Sequence, residues 1–99
     1  MLSLKTLREY WEKNRQAEGP LTEWYNRVAA ANWKNPAEVK LMFRSADFIG
    51  DRVVFNIGGN NYRLIVWVIY PNEAYPSGKV LVKWVGTHAE YSKIKVGDV

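Results

Sequence analysis

Residues 52–70 read RVVFNIGGNNYRLIVWVIY, and this stretch decides the fold. From Arg52 onward the sequence has a period of two, which is typical of β-strands. The central glycines and asparagine favour the tight turn of a β-hairpin. The stretch therefore predicts two antiparallel strands, Arg52–Ile57 and Asn61–Tyr70, joined at Gly58-Gly59-Asn60.

The length of the hairpin loop determines which side chains share a face. A two-residue loop, either Gly58-Gly59 or Gly59-Asn60, pairs even-numbered positions with odd-numbered ones. In the Gly59-Asn60 version Asn56 lies opposite Arg63, whereas a three-residue loop moves Arg63 to the other face. We favour the two-residue loop, which predicts one face that carries Arg52, Val54, Asn56, Arg63, Ile65 and Trp67.

The chain on both sides of the hairpin completes an α+β pattern. Downstream, the loop Pro71–Gly78 precedes a third strand, Lys79–Val85, and His88–Ile94 forms a last helical turn. Upstream, the first 44 residues have helical spacing. Helices followed by a strand meander predict one domain over residues 1–99, with the helices on one face of a three- to four-stranded antiparallel sheet and the other face open.

Three helices are expected in the N-terminal part. The first has Ser3 as its N-cap and the apolar residues Leu4, Leu7 and Trp11 at helical spacing. Gly19-Pro20 interrupts it and starts the second, because proline suits a first helical turn. The second carries the stripe Leu21, Trp24, Tyr25, Val28 and Ala29, and the third begins at the capping sequence Asn35-Pro36-Ala37-Glu38.

The amino-acid composition excludes several classes of functional site. The 99 residues contain no cysteine and one histidine, so disulfides, thiolate metal sites and multi-histidine metal sites are excluded. No apolar run approaches the roughly 20 residues of a membrane helix, and the N-terminus lacks the apolar core of a signal peptide, which predicts a cytoplasmic protein. The net charge of +4 suits an acidic partner such as nucleic acid, a membrane surface or an acidic protein.

The residues that remain for chemistry are basic and aromatic: Arg63, Lys83, His88 and Tyr91, with Arg52 and Asn56 near them. Such a set can cleave RNA without a metal, since a base, an acid and cations suffice for attack of a ribose 2′-OH on the adjacent phosphate. The same residues also fit a core histidine beside a solvated sheet. Spacing alone leaves both interpretations open.

Two sequence motifs resemble those of a known protein family. The N-I-x-G-N-x-Y-R-L pattern of residues 56–64 and the T-H-x-E-Y pattern of residues 87–91 resemble the HigB toxins of bacterial type II toxin–antitoxin modules, within the RelE/ParE superfamily. The resemblance covers nearly the whole chain. It implies a metal-independent mRNA interferase that acts at the ribosome, a HigA-type helix-turn-helix antitoxin, and operator DNA bound only through that antitoxin.

The resemblance also implies roles for the site residues. Arg63 contacts the scissile phosphate, Lys83 adds a second cation, His88 and Tyr91 share the acid and base roles, and Arg52 and Asn56 position RNA. No cofactor is expected.

The sequence departs from the family pattern at three places. Ser92 replaces the usual Asp, Met1-Leu2 leaves little of an N-terminal strand, and the Pro71–Gly78 loop is longer than usual. Ser92 supports one alternative, a non-catalytic member that binds antitoxin or RNA. The ParE branch of the superfamily supplies a second, an inhibitor of a topoisomerase, although the T-H-x-E-Y motif favours the ribonuclease branch. A simple basic binding domain is the last alternative.

Overall fold

The computed structural model describes residues 4–99, and these residues form four helices and four strands. In chain order they are α1 (Lys5–Lys13), α2 (Glu18–Ala30), α3 (Pro36–Met42), β1 (Asp47–Ile49), β2 (Arg52–Ile57), β3 (Tyr62–Ile69), β4 (Lys79–Thr87) and α4 (His88–Tyr91). Two 3₁₀ turns complete the set: Arg15–Ala17 lies between α1 and α2, and Val96–Asp98 follows α4. The predicted α+β architecture is confirmed.

The third helix begins where the sequence predicts, but the break between the first two does not lie at Gly19-Pro20: α1 ends at Lys13, and Gly19-Pro20 falls inside the first turn of α2. Leu7 and Trp11 form the buried side of α1, and Pro20 lies in the first turn of α2. Asn35 caps α3, since its side chain accepts a hydrogen bond from the Glu38 N–H at 3.1 Å. The Glu38 carboxylate bonds the N–H of Lys34 rather than that of the cap residue. The predicted cap Ser3 lies outside the described residues.

The hairpin register is the one predicted for the Gly59-Asn60 turn. Ile57 pairs with Tyr62 and Asn56 pairs with Arg63. The Asn61 N–H donates to the Gly58 carbonyl at 3.3 Å and closes the turn. Gly58 and Gly59 have φ of +61° and +69°, a region that side chains disfavour. The shared face of even β2 residues and odd β3 residues is thereby confirmed.

The core lies between the helices and one face of the sheet. Phe55 on β2 is its centre, with ring centroids 5.4 Å from Trp24, 5.0 Å from Phe43 and 6.2 Å from Trp33. Aromatic residues bury a large apolar area per side chain, which suits a small domain. The Leu21, Trp24 and Val28 stripe of α2 is part of this core, as its spacing predicts.

Strand β1 has no counterpart in the sequence-based expectation. Its three residues pair antiparallel with the first half of β2, from Asp47 opposite Val54 to Ile49 opposite Arg52. The sheet order is therefore β1-β2-β3-β4. Because β1 is so short, the outer edge of β2 beyond Val54 pairs with no other strand of residues 4–99.

The face opposite the helices is open only in part. Val54 and Ile65 are buried there beneath Val96, with Ile94 and Val99 packed against them. Arg52 fastens the end of this segment, since its Nε donates to the Val99 carbonyl at 2.9 Å. The expectation of a fully open face is wrong at the centre of the sheet, because the C-terminal segment folds back over two apolar side chains.

Candidate active site

Arg63 is the charged residue at the middle of the hairpin end of the sheet. It lies on β3 between Asn56 of β2 and Gly86 of β4, so one neighbour across the ladder has no side chain. Its Nη1 lies 3.4 Å from the Asn60 carbonyl and 3.3 Å from the Tyr62 carbonyl. No carboxylate within residues 4–99 forms an ion pair with it. Its positive charge is therefore available to a bound anion.

A capping box positions α4 next to Arg63. The Thr87 N–H donates to the Glu90 carboxylate at 2.8 Å, and the Glu90 N–H donates to the Thr87 hydroxyl at 3.1 Å. The His88 N–H donates to the Asn61 carbonyl at 3.0 Å. These bonds dock the helix against the end of the β2–β3 hairpin, where His88 is its first residue and Tyr91 its last.

Tyr91 is a predicted catalytic residue whose ring the structure places beside Arg63. The guanidinium carbon of Arg63 lies 5.8 Å from the centroid of the Tyr91 ring. A cation within about 6 Å of an aromatic face is attracted by the ring quadrupole. The pair therefore holds a cation and a phenol side by side on the exposed end of the sheet.

Trp84 is a second neighbour of the Tyr91 ring. The two ring centroids are 6.3 Å apart with an interplanar angle of 50°. The indole lies over Gly86, where a Cβ would come within 2.5 Å of the Trp84 ring. Gly86 is therefore required for the position of Trp84, and Trp84 in turn contacts Tyr91.

His88 and Lys83 lie near the site and have no side-chain partner among the described residues. His88 is exposed, and no contact joins its imidazole to Arg63 or Tyr91. Lys83 is the extra residue of a β-bulge, because Ile65 pairs with Trp84 while Val66 pairs with Val82. Bulges commonly redirect a side chain next to a functional site. Both side chains are exposed to solvent and free to meet a ligand.

Arg52 and Asn56 lie at different places on the shared face. Asn56 is partly exposed and directly opposite Arg63. Arg52 is four residues away along β2, or about 13 Å at the usual rise of a strand. Its guanidinium bonds Val99 and Asp51 and lies 5.5 Å from the Trp67 ring centroid. Arg52 thus has structural partners, and an RNA contact at this position stays a prediction.

Three residues of the site lie outside the sequence-based set. Glu90 caps α4, and Gly86 and Trp84 support Tyr91. The T-x-x-E spacing of Thr87 and Glu90 is a recognisable capping signature, so Glu90 could have been identified from sequence. Trp84 and Gly86 are two apart on β4 and therefore share a face, but the sequence does not show that the indole lies over the glycine.

Tyr10 of α1 lies behind this site. Its ring meets the Tyr62 ring edge-on at 6.2 Å, and its hydroxyl is buried without a hydrogen-bond partner. Burial raises the pKa of Tyr10, and the nearby Glu90 and Tyr62 raise it further. The phenol therefore stays protonated at neutral pH. Tyr10 supports the sheet below α4 and does not face the solvent side of the site.

Neither a metal cluster nor a membrane helix is found in the described part of the chain. Residues 4–99 hold no group of three or more His, Cys, Asp or Glu side chains that could bind a metal ion. None of the helices in that range is long and apolar enough to span a bilayer.

The helices on one face of an antiparallel sheet, with an unpaired arginine beside a tyrosine on the other, define a RelE-like α+β protein. The family model for the HigB toxin, the RelE-like toxic component of a toxin–antitoxin system, matches residues 17–94. The chain belongs to this family.

Curated relatives agree with the family assignment. The mRNA interferase toxin HigB of Escherichia coli K12 is 30% identical over 94 residues, which cover 92% of this chain and 86% of the relative. The mRNA interferase HigB of Escherichia coli O157:H7 and that of Shigella flexneri match with the same identity and coverage. The resemblance noted from the two sequence motifs is confirmed.

Proposed function

We propose that this chain is an mRNA interferase, an endoribonuclease that cleaves mRNA on the ribosome without a metal ion. The observation that carries the proposal is the unpaired Arg63 guanidinium beside the Tyr91 ring at the exposed end of the sheet. The names of the curated relatives support the same activity. The Arg63 charge has no carboxylate partner within residues 4–99, and a phosphate is the anion that a basic protein meets on RNA.

The reaction needs only groups that this chain supplies. The ribose 2′-oxygen attacks the adjacent phosphorus, so that the O2′–P bond forms while the P–O5′ bond breaks. A base takes the proton of the 2′-OH and an acid gives a proton to O5′, and the products are a 2′,3′-cyclic phosphate and a 5′-hydroxyl. His88 and Tyr91 perform these two transfers. Arg63 and Lys83 stabilise the negative charge that develops on the phosphate oxygens.

The partners follow from this activity. The substrate is mRNA in the ribosomal A site, and Asn56 and Arg52 help to position it. A HigA-type antitoxin with a helix-turn-helix domain neutralises the toxin, and operator DNA is bound only through that antitoxin. The cytoplasm, where mRNA is translated, is the site of action.

The alternative function is binding without cleavage. Two observations favour it: the imidazole of His88 contacts neither Arg63 nor Tyr91, and Ser92 stands where the family usually has Asp. The Ser92 hydroxyl donates to the Ala89 carbonyl at 2.7 Å, so this residue closes α4 locally. A non-catalytic member would bind RNA or antitoxin and leave mRNA intact.

Induced expression in a bacterium without the antitoxin tests the proposal. Wild type, Arg63→Ala and the control Arg8→Ala, an exposed arginine on α1, are compared for growth and mRNA integrity. We expect growth arrest with mRNA loss for wild type and Arg8→Ala, and relief by Arg63→Ala. Arrest with intact mRNA would point to another target such as a topoisomerase. Soluble folded protein without arrest would favour the non-catalytic alternative, and Ser92→Asp would then be the variant to test for gained activity.

A further inference from the structure

A wide groove opens at the edge of the sheet beside the candidate active site. It has a volume of about 940 Å³ and lies between α2, the segment after α3, and the part of β2 that β1 does not cover. Strand β1 ends its pairing at Val54, so the groove borders the unpaired edge of β2. We call it the β2-edge groove and define it by Arg27, Arg44, Asn56, Gly58 and Gly59.

The groove has a net positive charge, and one of its two arginines is held in a fixed position. Arg27 donates from Nη2 to the Met42 carbonyl at 2.8 Å, and its guanidinium carbon lies 4.3 Å from the Phe43 ring centroid. Arg44 is exposed, and within residues 4–99 neither arginine forms an ion pair. The acidic residue of the lining is Glu23. A guanidinium already held in place loses little conformational entropy when it binds an anion.

The groove is continuous with the candidate active site through Asn56. This residue lines the groove and pairs with Arg63 on the neighbouring strand, and adjacent strands are about 4.8 Å apart. Along β3 the C-terminal segment lies over Ile65, whereas Asn56 at the end of β2 is partly exposed. An extended ligand bound at Arg63 can therefore continue across the edge of β2.

From this geometry we propose that the β2-edge groove binds the RNA strand that flanks the scissile phosphate, with Arg27 and Arg44 each contacting one backbone phosphate. The proposal rests on the proposed function, since it extends the same substrate beyond the site of cleavage. Gly59 leaves room for a sugar–phosphate backbone at the hairpin, since a Cβ added there would meet no atom of the described residues within 4 Å. Binding in the groove is electrostatic and independent of base sequence.

Binding of uncleavable RNA of two lengths tests the proposal. Fluorescence anisotropy is measured with 2′-O-methyl RNAs of four and twelve nucleotides, because the methylated oxygen cannot attack phosphorus. We expect Arg44→Ala and Arg27→Ala to weaken binding of the twelve-nucleotide RNA several-fold and to leave the shorter RNA unchanged. The slope of log affinity against log salt should fall by about 0.7 for each lost phosphate contact. Arg8→Ala should match wild type for both lengths.

The outcomes separate the groove from the cleavage site. The groove proposal would be overturned if the arginine variants weakened binding of both RNAs equally, or if they left binding of the longer RNA unchanged. The proposed function would still stand if the wild-type protein cleaved mRNA. Loss of antitoxin binding by Arg44→Ala with unchanged RNA binding would also overturn the groove proposal and assign the groove to an acidic peptide. A wild type that binds neither RNA would overturn the groove proposal, whereas the proposed function is decided by cleavage of mRNA on the ribosome. Arg44 is exposed and its side chain forms no hydrogen bond or ion pair within residues 4–99, so its variant should stay folded even if Arg27→Ala does not.

Discussion

Thr87 and Glu90 satisfy each other's backbone N–H groups at the start of α4, at 2.8 and 3.1 Å. Helix α4 is only four residues long, and isolated turns of this length are unstable in water. The reciprocal cap, together with the bond from His88 to the hairpin, therefore fixes the helix that carries two of the candidate catalytic side chains. Glu90 is a positioning residue in this account.

Replacement of Glu90 tests the role of the cap. Glu90→Ala should lower the free energy of unfolding by about 1 kcal/mol and reduce cleavage of mRNA. Glu90→Gln keeps an acceptor oxygen for the Thr87 N–H and should restore most of both. Urea unfolding and cleavage rates check the pair of variants. A Gln variant as inactive as the Ala variant would mean that the carboxylate itself takes part in the chemistry.

Gly86 should tolerate no side chain. A methyl group there would lie 2.5 Å from the Trp84 indole and 3.0 Å from a Glu90 carboxylate oxygen. Gly86→Ala should therefore displace Trp84, lower the free energy of unfolding by about 1–3 kcal/mol and reduce activity. Tryptophan fluorescence and thermal unfolding measure the change. Gly97→Ala is the matched control, since nothing lies within 4 Å of its added methyl, and it should behave as wild type.

Removal of the Tyr10 hydroxyl should not destabilise the protein. That oxygen is buried without a hydrogen-bond partner among the described residues, and an unsatisfied buried hydroxyl costs about 1–3 kcal/mol. Tyr10→Phe should therefore be as stable as wild type or more stable in urea unfolding. Tyr10→Ala, which also removes the ring that packs against Tyr62, should lose about 3 kcal/mol. A destabilised Phe variant would show that the hydroxyl has a partner in solution.

Lys83 should affect activity without affecting stability. Its side chain is exposed at the β-bulge and contacts no described residue, so Lys83→Gln should leave the midpoint of thermal unfolding unchanged. Loss of one group that stabilises transition-state charge should slow cleavage by about 100- to 1000-fold. Lys13→Gln on α1 is the control for a change in overall charge. Equal cleavage by both variants would remove Lys83 from the site.

The face that β2 and β3 share could be predicted, because successive side chains of a strand point to opposite faces of the sheet. Once Gly59-Asn60 is the turn, Asn56 must lie opposite Arg63 and every second residue must share their face. The helical stripe of α2 was equally predictable, since Trp24 and Val28 recur at helical spacing. Local chemistry decides both features.

The remaining features depend on contacts between distant parts of the chain. Strand β1 has three residues, too few for a period to show, and it exists because β2 offers it an edge. The bulge at Lys83 is a mismatch between two strands and cannot be seen in either alone. The proximity of Arg63 and Tyr91 arises because α4 folds back onto the hairpin, and the cover over Ile65 arises because Val96 returns to the sheet.

The most direct test of the central claim uses a substrate that lacks one oxygen. Two mRNAs are compared on ribosomes. One is an mRNA that the wild-type protein cleaves, and the other is the same mRNA with a single 2′-deoxynucleotide on the 5′ side of the cleaved bond. Attack by the 2′-oxygen predicts a 2′,3′-cyclic phosphate end from the unmodified mRNA and no cleavage at the modified position. Cleavage at the deoxynucleotide would contradict the mechanism built on Arg63, Lys83, His88 and Tyr91.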